Sequence, residues 1–191
     1  MKLVLASTSP FRRELLDKLN LPYETDSPDI DESPLPGESI ESMVLRLAEG
    51  KARAVAERHP NSLIIGSDQS AVLNGQQLTK PGGYDKAFAQ LKAACGQKIV
   101  FQTSLCLLNT QTSQIQSALV PYTVVFKQLN DEQIKYYLEQ EEPYNCAGSF
   151  KSEALGIALF ERFEGEDPNA LIGLPLIKLV EMLNKENMPP I

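Results

Sequence analysis

The stretch Leu3-Val4-Leu5-Ala6-Ser7-Thr8-Ser9-Pro10-Phe11-Arg12-Arg13 limits what this chain can fold into more than any other segment. Its apolar half reads as a buried strand. Ser9 is then a natural N-cap, and Pro10 suits the first helical position, where a missing N–H costs nothing. Leu15, Leu16 and Leu19 recur at helical spacing and need an apolar neighbour. A strand that turns directly into a helix points to a layered α/β protein. The turn also gathers backbone N–H groups, the hydroxyls of Ser7 and Ser9, and the guanidinium groups of Arg12 and Arg13 at the positive end of a helix dipole. That is a phosphate site in outline, although a capped helix with surface arginines explains the segment equally well.

The pattern downstream keeps switching between strand and helix. Leu21 to Asp31 reads as a short strand and a loop, and Pro34, Pro36 and Gly37 mark a turn. A long helix from about Ser39 to Arg58 carries Ile40, Met43, Val44, Leu47, Ala48, Ala52 and Val55 on one stripe. Leu63-Ile64-Ile65-Gly66 has the character of a strand buried on both faces, Ser70–Leu73 continues it, and Asn74-Gly75 is a hairpin signal. Asp85–Cys95 reads as a helix closed by Gly96. Two long strands, Lys98–Leu108 and Gln114–Phe126, follow as an antiparallel pair. Asn130 caps a helix ending near Glu142-Pro143. Ile157–Glu164 reads as a strand, Gly165–Asn169 as a turn, and Leu174–Lys185 as the last helix. No repeat or linker divides the chain, so residues 1-191 are expected to form one domain. Its expected architecture is a twisted, mixed β-sheet flanked by helices, in two lobes around a central cleft, with ligand near the strand ends.

Composition narrows the function. At 42% hydrophobic and 23% charged residues, the chain matches ordinary globular proteins. It opens into a strand without a signal peptide, and no apolar run reaches membrane-spanning length; a cytoplasmic protein with no membrane partner is expected. Cys95, Cys106 and Cys146 are odd in number and lie in apolar segments, which reads as reduced, packing cysteines. A net charge of −7 argues against a nucleic-acid surface. The single histidine, His59, excludes a multi-histidine metal site, and beside Pro60 it reads as a helix C-terminal residue. Hydrolytic chemistry here must use carboxylates, lysines, arginines or a metal.

Four residues stand out on those terms. Asp68 ends the run Leu63-Ile64-Ile65-Gly66-Ser67, so its carboxylate lies at a strand end, as a hydrolase requires and as a turn aspartate also would. Lys51 falls four residues after Leu47 and three after Ala48, on the apolar stripe, where a lysine either snorkels outwards or points into a polar site. Glu32 lies in the acidic loop Asp29-Ile30-Asp31-Glu32, a pattern that is usually just solvated. Lys80 precedes Pro81-Gly82-Gly83 in a loop, ordinarily a place for surface charge.

The string Ser7-x-Ser9-Pro10-x-Arg12-Arg13, with Ala48-x-x-Lys51-Ala52, Gly66-Ser67-Asp68, Lys80-Pro81, Pro168-Asn169 and Ile172-Gly173-Leu174-Pro175, resembles the Maf family of nucleotide pyrophosphatases over nearly the whole chain. The resemblance implies an inosine triphosphate pyrophosphatase-like fold. It also implies hydrolysis of a nucleoside triphosphate between the α and β phosphates, releasing a monophosphate and pyrophosphate. Asp68 would be the proton acceptor, Glu32 a metal ligand or water-positioning group, and Lys51 and Lys80 catalytic cations. Ser7, Ser9, Arg12, Arg13, Lys51 and Lys80 would bind the phosphates. A carboxylate of ordinary pKa, about 4, is a weak base for free water. A Mg2+ or Mn2+ ion held by Asp68, Glu32 and phosphate oxygens is therefore expected.

Three positions also resemble the branch of the family acting on 7-methyl-GTP: Phe11, Gln69 and Glu153, the last within Cys146-Ala147-Gly148-Ser149-Phe150-Lys151-Ser152-Glu153-Ala154-Leu155-Gly156. N7 methylation makes guanine cationic, so Phe11 can stack on it with cation–π attraction. Glu153 can accept from the guanine N1–H and exocyclic amine while balancing the charge, and Gln69 can reach base or sugar. Pyrimidines lack that donor pair and would leave the carboxylate unpaired. The expected activity is house-cleaning of modified nucleotides. The alternatives are a dTTP/UTP pyrophosphatase of the same family, against which Gln69 and Glu153 speak, and a non-catalytic nucleotide-binding regulator linked to cell division, which would need no base at Asp68. The family also implies a homodimer.

Overall fold

In a computed structural model describing residues 1–191, the N-terminal motif forms β1 (Lys2–Ala6) and α1 (Pro10–Asp17), with Ser9 as N-cap and Pro10 at the first helical position. After β2 (Tyr23–Asp26) comes α2 (Ile40–Ala56), capped by Ser39, whose side chain accepts from the Ser42 N–H. Then follow β3 (Ser62–Leu73), β4 (Gln76–Leu78), α3 (Tyr84–Ala94), β5 (Lys98–Asn109) and β6 (Ile115–Phe126). The chain closes with α4 (Asp131–Glu141), a 3-10 turn (Leu155–Leu159), β7 (Phe160–Gly165), α5 (Pro168–Ile172) and α6 (Leu176–Lys185).

The seven strands form one mixed sheet in the order β2-β1-β3-β5-β6-β7, with β4 paired to β3. β1 runs parallel to both β2 and β3, setting Leu3 opposite Tyr23 and Leu63. β4 and β7 add antiparallel edges, Ala71 facing Leu78 and Tyr122 facing Gly165. Asn74 and Gly75 both take positive φ, 50° and 78°, as the tight β3–β4 hairpin requires.

Two expectations are corrected in detail. Ile157–Leu159 are 3-10 rather than strand, because Gly156 lets the backbone fold onto Lys151, where a Cβ would strike the Lys151 carbonyl. The 165–169 turn gives way to α5, since buried Asp167 caps Asn169 and Pro168 starts a helix. His59 lies just past α2, and its Nε2 sits 2.8 Å from Asp26 Oδ2 at the end of β2.

The chain divides into two compact units. The first comprises Met1–Gln69, Gln102–Val120 and Asp167–Ile191. Its sheet is covered on both faces. Leu3, Leu5, Leu63, Ile65, Leu105 and Leu107 pack on Leu15, Leu16, Leu179 and Leu183 of α1 and α6. Ala6, Ile64, Cys106 and Leu108 pack on Ala48, Ala52 and Val55 of α2. Each fully buried leucine or isoleucine contributes about 1.5–3 kcal/mol. The second unit comprises Ser70–Phe101 and Pro121–Glu166. At its centre are Phe101, Phe126, Phe150 and Phe160, with ring centroids 4.8–5.6 Å apart in edge-on contact. All three cysteines are free, and burial pushes the Cys106 thiol up to about 12. No helix is long and apolar enough to cross a membrane.

Candidate active site

Strand alternation sorts the polar side chains of the first unit. On β3, Ile64, Gly66 and Asp68 face α2, while Leu63, Ile65, Ser67 and Gln69 face the opposite layer. On β5, Ser104 joins the α2 side and Thr103 the other. Two polar clusters result, one on each face of the same strands.

The α2 cluster is charged. Asp68 is 8% exposed, and its Oδ1 lies 2.5 Å from Lys51 Nζ. Lys51 points inwards rather than snorkelling, and the same ammonium reaches Glu32 Oε1 at 2.9 Å. One buried lysine thus bridges two carboxylates. Burial raises the Asp68 pKa above the ordinary carboxylate range; Lys51 and Arg12 pull it back, and Glu32 pushes it further up. The Asp68 N–H donates to Ser104 Oγ (3.2 Å), whose hydroxyl lies 2.6 Å from the Val44 carbonyl of α2. Gly66 makes this approach possible, because a Cβ there would run into the Ala48 carbonyl. α2 therefore lies close on β3, and Lys51, one turn beyond Ala48, comes within reach of Asp68.

Glu32 sits in an exposed loop, yet that loop is fastened. Arg46 of α2 grips Glu38 through both carboxylate oxygens (2.6 and 2.7 Å) and donates to the Ser33 carbonyl (3.1 Å). The bidentate pair holds the Glu38 carboxyl down at about 2.

The opposite cluster holds no carboxylate, and its donors, the Arg12 guanidinium among them, gather on carbonyls of the 170–173 segment. Arg12 Nε donates to the Gly173 carbonyl (2.9 Å). Ser67 Oγ lies 2.9 Å from that carbonyl and 2.8 Å from the Ser104 carbonyl, with one proton to share between them. Gly173 adopts φ 123°, a conformation that favours glycine. Burial lowers the Arg12 pKa while Asp68 and Glu32 oppose the shift, which places the three charges in one field. Gln69 Nε2 donates to Thr103 Oγ1 (2.8 Å) and to the carbonyls of Ala170 (2.7 Å) and Leu171 (3.1 Å). Its amide nitrogen is thus committed to the protein, and a ligand would meet its oxygen.

At the start of α1 the donors are partly used. The Ser9 N–H donates to Ser7 Oγ (3.1 Å), and the Arg12 N–H donates to Ser9 Oγ (3.5 Å). The positively charged donors at this turn are the guanidinium groups of Arg12 and Arg13. Phe11 is 39% exposed at this turn, and Arg13 is exposed beside it. The structure thus brings Arg12, Glu32, Lys51 and Asp68 together, with Phe11 and Arg13 on the adjoining helix. Lys80 and Glu153 belong to the second unit and are exposed. Both act on the Cys146 thiol, whose pKa burial raises and whose charged neighbours are Lys151, Glu153, Lys80 and Glu141.

Lys51 uses Asp68 Oδ1 and Glu32 Oε1, leaving the second oxygen of each carboxylate. Two hard carboxylate oxygens suit a divalent cation completed by phosphate oxygens and water. No group of three or more metal-ligating side chains exists, so the protein alone would not enclose such an ion.

Sequence reasoning gave no role to Ser67, Thr103, Ser104, Arg46 or the Gly173 carbonyl. Ser67 and Gly173 did stand in the motifs noted above, and Thr103-Ser104 is a polar pair inside the apolar run Ile99–Leu108.

The Maf-like protein family matches residues 2–186. The chain belongs to the Maf family. A relative within it, the 7-methyl-GTP pyrophosphatase of Nitrosococcus oceani, is 54% identical over 187 residues, covering 98% of this chain and 94% of that protein. Proteins with the same name from Methylobacillus flagellatus and Pseudomonas aeruginosa are 55% and 53% identical, covering 97% of this chain and 97% of each. Among solved structures, the Staphylococcus aureus Ham1 protein aligns with a TM-score of 0.44 at 15% identity, covering 66% of this chain and 72% of that one, too distant to bear on the fold.

Proposed function

We propose that the protein hydrolyses 7-methyl-GTP to 7-methyl-GMP and pyrophosphate. The observation that carries the reading is the buried Lys51 ammonium bridging Asp68 and Glu32 within the field of Arg12. The names of the Maf relatives, at 53–55% identity over nearly the full chain, support the substrate.

Each residue has a distinct task in this reaction. Arg12, held at Nε by Gly173, presents its terminal nitrogens to phosphate oxygens, and Arg13 adds a second guanidinium. Lys51 keeps the two carboxylates from repelling one another, and Lys80 is assigned to the phosphates. Asp68, whose pKa stands above the usual carboxylate value, takes the proton of the attacking water. The water oxygen bonds to the α-phosphorus, the bond to the bridging oxygen breaks, and pyrophosphate leaves. Asp68 and Glu32 would hold Mg2+ or Mn2+, which when bound neutralises phosphate charge and makes water easier to deprotonate. Phe11 stacks on the cationic base and Glu153 accepts from its N1–H and amine. Gln69 offers its oxygen.

A turnover panel of 7-methyl-GTP, GTP, UTP and dTTP with Mg2+ or Mn2+, quantifying monophosphate and pyrophosphate, tests this reading. Preference for 7-methyl-GTP with equimolar pyrophosphate is expected. A preference for UTP or dTTP would overturn the base assignment, and release of inorganic phosphate instead would overturn the bond assignment.

A further inference from the structure

Within the second unit, helix α4 closes onto the loop that carries Glu153. Residues 151–156 fold back on themselves tightly, since a Cβ on Gly156 would collide with the Lys151 carbonyl. Both ends of this loop are tied to the last turns of α4. At the near end, the Lys151 N–H donates to Tyr137 Oη (3.0 Å), and Lys151 Nζ donates to the Glu141 carbonyl (2.9 Å), one of the orphan acceptors at a helix C-terminus. At the far end, the Leu155 N–H donates to Glu141 Oε1 (3.0 Å). The other carboxylate oxygen of Glu141 faces Lys151 Nζ at 3.6 Å. One side chain therefore grips both ends of a closed loop, and Tyr137, only 2% exposed, supplies a second anchor. Glu153 stands at the tip, its Oε2 accepting from Ser152 Oγ (3.2 Å). Below the loop, Phe150 packs edge-on against Phe101, Phe126 and Phe160, so the clamp sits on a rigid base.

We propose that Glu141 and Tyr137 are positioning residues for base selection: they fix the place of the Glu153 carboxylate without touching the nucleotide. The proposal rests on the reading of Glu153 as the base-selecting group. A carboxylate that must meet two donors on one base edge loses affinity when displaced by about an ångström. A loop fastened at both ends supplies that constancy, and a side chain on a free loop does not.

The test compares KM and kcat for 7-methyl-GTP and for UTP in Glu153→Gln, Glu141→Ala, Glu141→Gln and Tyr137→Phe. Glu141→Ala is expected to raise KM for 7-methyl-GTP about tenfold with kcat changed less than about twofold, and to leave UTP turnover as it was. Glu141→Gln keeps an acceptor for the Leu155 N–H and should restore most of the affinity. Tyr137→Phe, which removes only the anchor at Lys151, should shift KM in the same direction by a smaller factor, and it tests the proposal should Glu141→Ala fail to fold. If Glu153→Gln is selective for 7-methyl-GTP while the Glu141 and Tyr137 variants are silent or depress both nucleotides equally, the positioning role is wrong and the reading of Glu153 stands. If Glu153→Gln itself depresses both nucleotides equally, that reading falls and the positioning role falls with it.

Discussion

The two units of the molecule solve different problems with different side chains. The first is packed with leucine, isoleucine and alanine, and its small residues let backbones touch: Gly66 of β3 admits the Ala48 carbonyl of α2. That closeness drives Lys51 and Asp68 into a shared buried site. The second is packed with phenylalanine rings, which hold their neighbours by shape, and its charged groups stay at the surface on a loop fastened by hydrogen bonds. Chemistry, in the proposed reading, thus rests on close backbone approach in one unit. Base selection, as proposed, rests on a clamped loop in the other.

The sharpest way to break this division is at the base. Asp68→Asn should reduce pyrophosphate release by about 100- to 10,000-fold on every nucleotide while the protein still melts cooperatively. Near-normal turnover would remove Asp68 from the chemistry. Next comes the approach of helix to strand. Gly66→Ala forces α2 off β3, and a loss of about 1–3 kcal/mol in denaturant unfolding is expected, together with a fall in kcat. A stability loss without a fall in kcat would separate the packing from the site.

The matching change in the second unit, Phe126→Leu, should cost about 1 kcal/mol and leave kcat for UTP where it was. A drop in kcat for UTP would show that the ring cluster contributes to the chemistry.

The pH dependence sharpens the same contrast. Burial raises the Asp68 pKa, so a base that must be ionised is lost as pH falls through a value above about 4. Glu38 and Asp26 move the other way, each held at about 2, by Arg46 in one case and by Arg58 and His59 in the other. Because their folded pKa values are depressed, the stability they contribute is present above the ordinary carboxylate range and is lost only as pH falls towards 2. Activity should therefore vanish on the acid side while circular dichroism still reports a folded chain. Coincident loss of both signals would contradict the raised Asp68.

Much of this was legible because it is local. The Ser9-Pro10 cap, the α2 stripe that places Lys51, and the Asn74-Gly75 hairpin are each decided within a few residues. The mixed sheet followed from the order of such segments. What sequence could not disclose are partners joined through backbone carbonyls, which every residue possesses. Arg12 finds Gly173 across 161 positions, and Gln69 finds Ala170 across 101. Arg46 meets Glu38 from a helix into a loop, and nothing in the spacing of eight residues predicts it. The reading of Ile157–Leu159 as strand failed for a similar reason, since Gly156 was free to fold onto a carbonyl five residues back.

The most direct test of the division of labour is a crossed assay of Asp68→Asn and Glu153→Gln against 7-methyl-GTP and UTP, followed by pyrophosphate release. Asp68→Asn should cut both reactions by at least about 100-fold, and Glu153→Gln should depress the first and spare the second. Equal depression of both substrates by Glu153→Gln, or near-normal turnover of either substrate by Asp68→Asn, would contradict it.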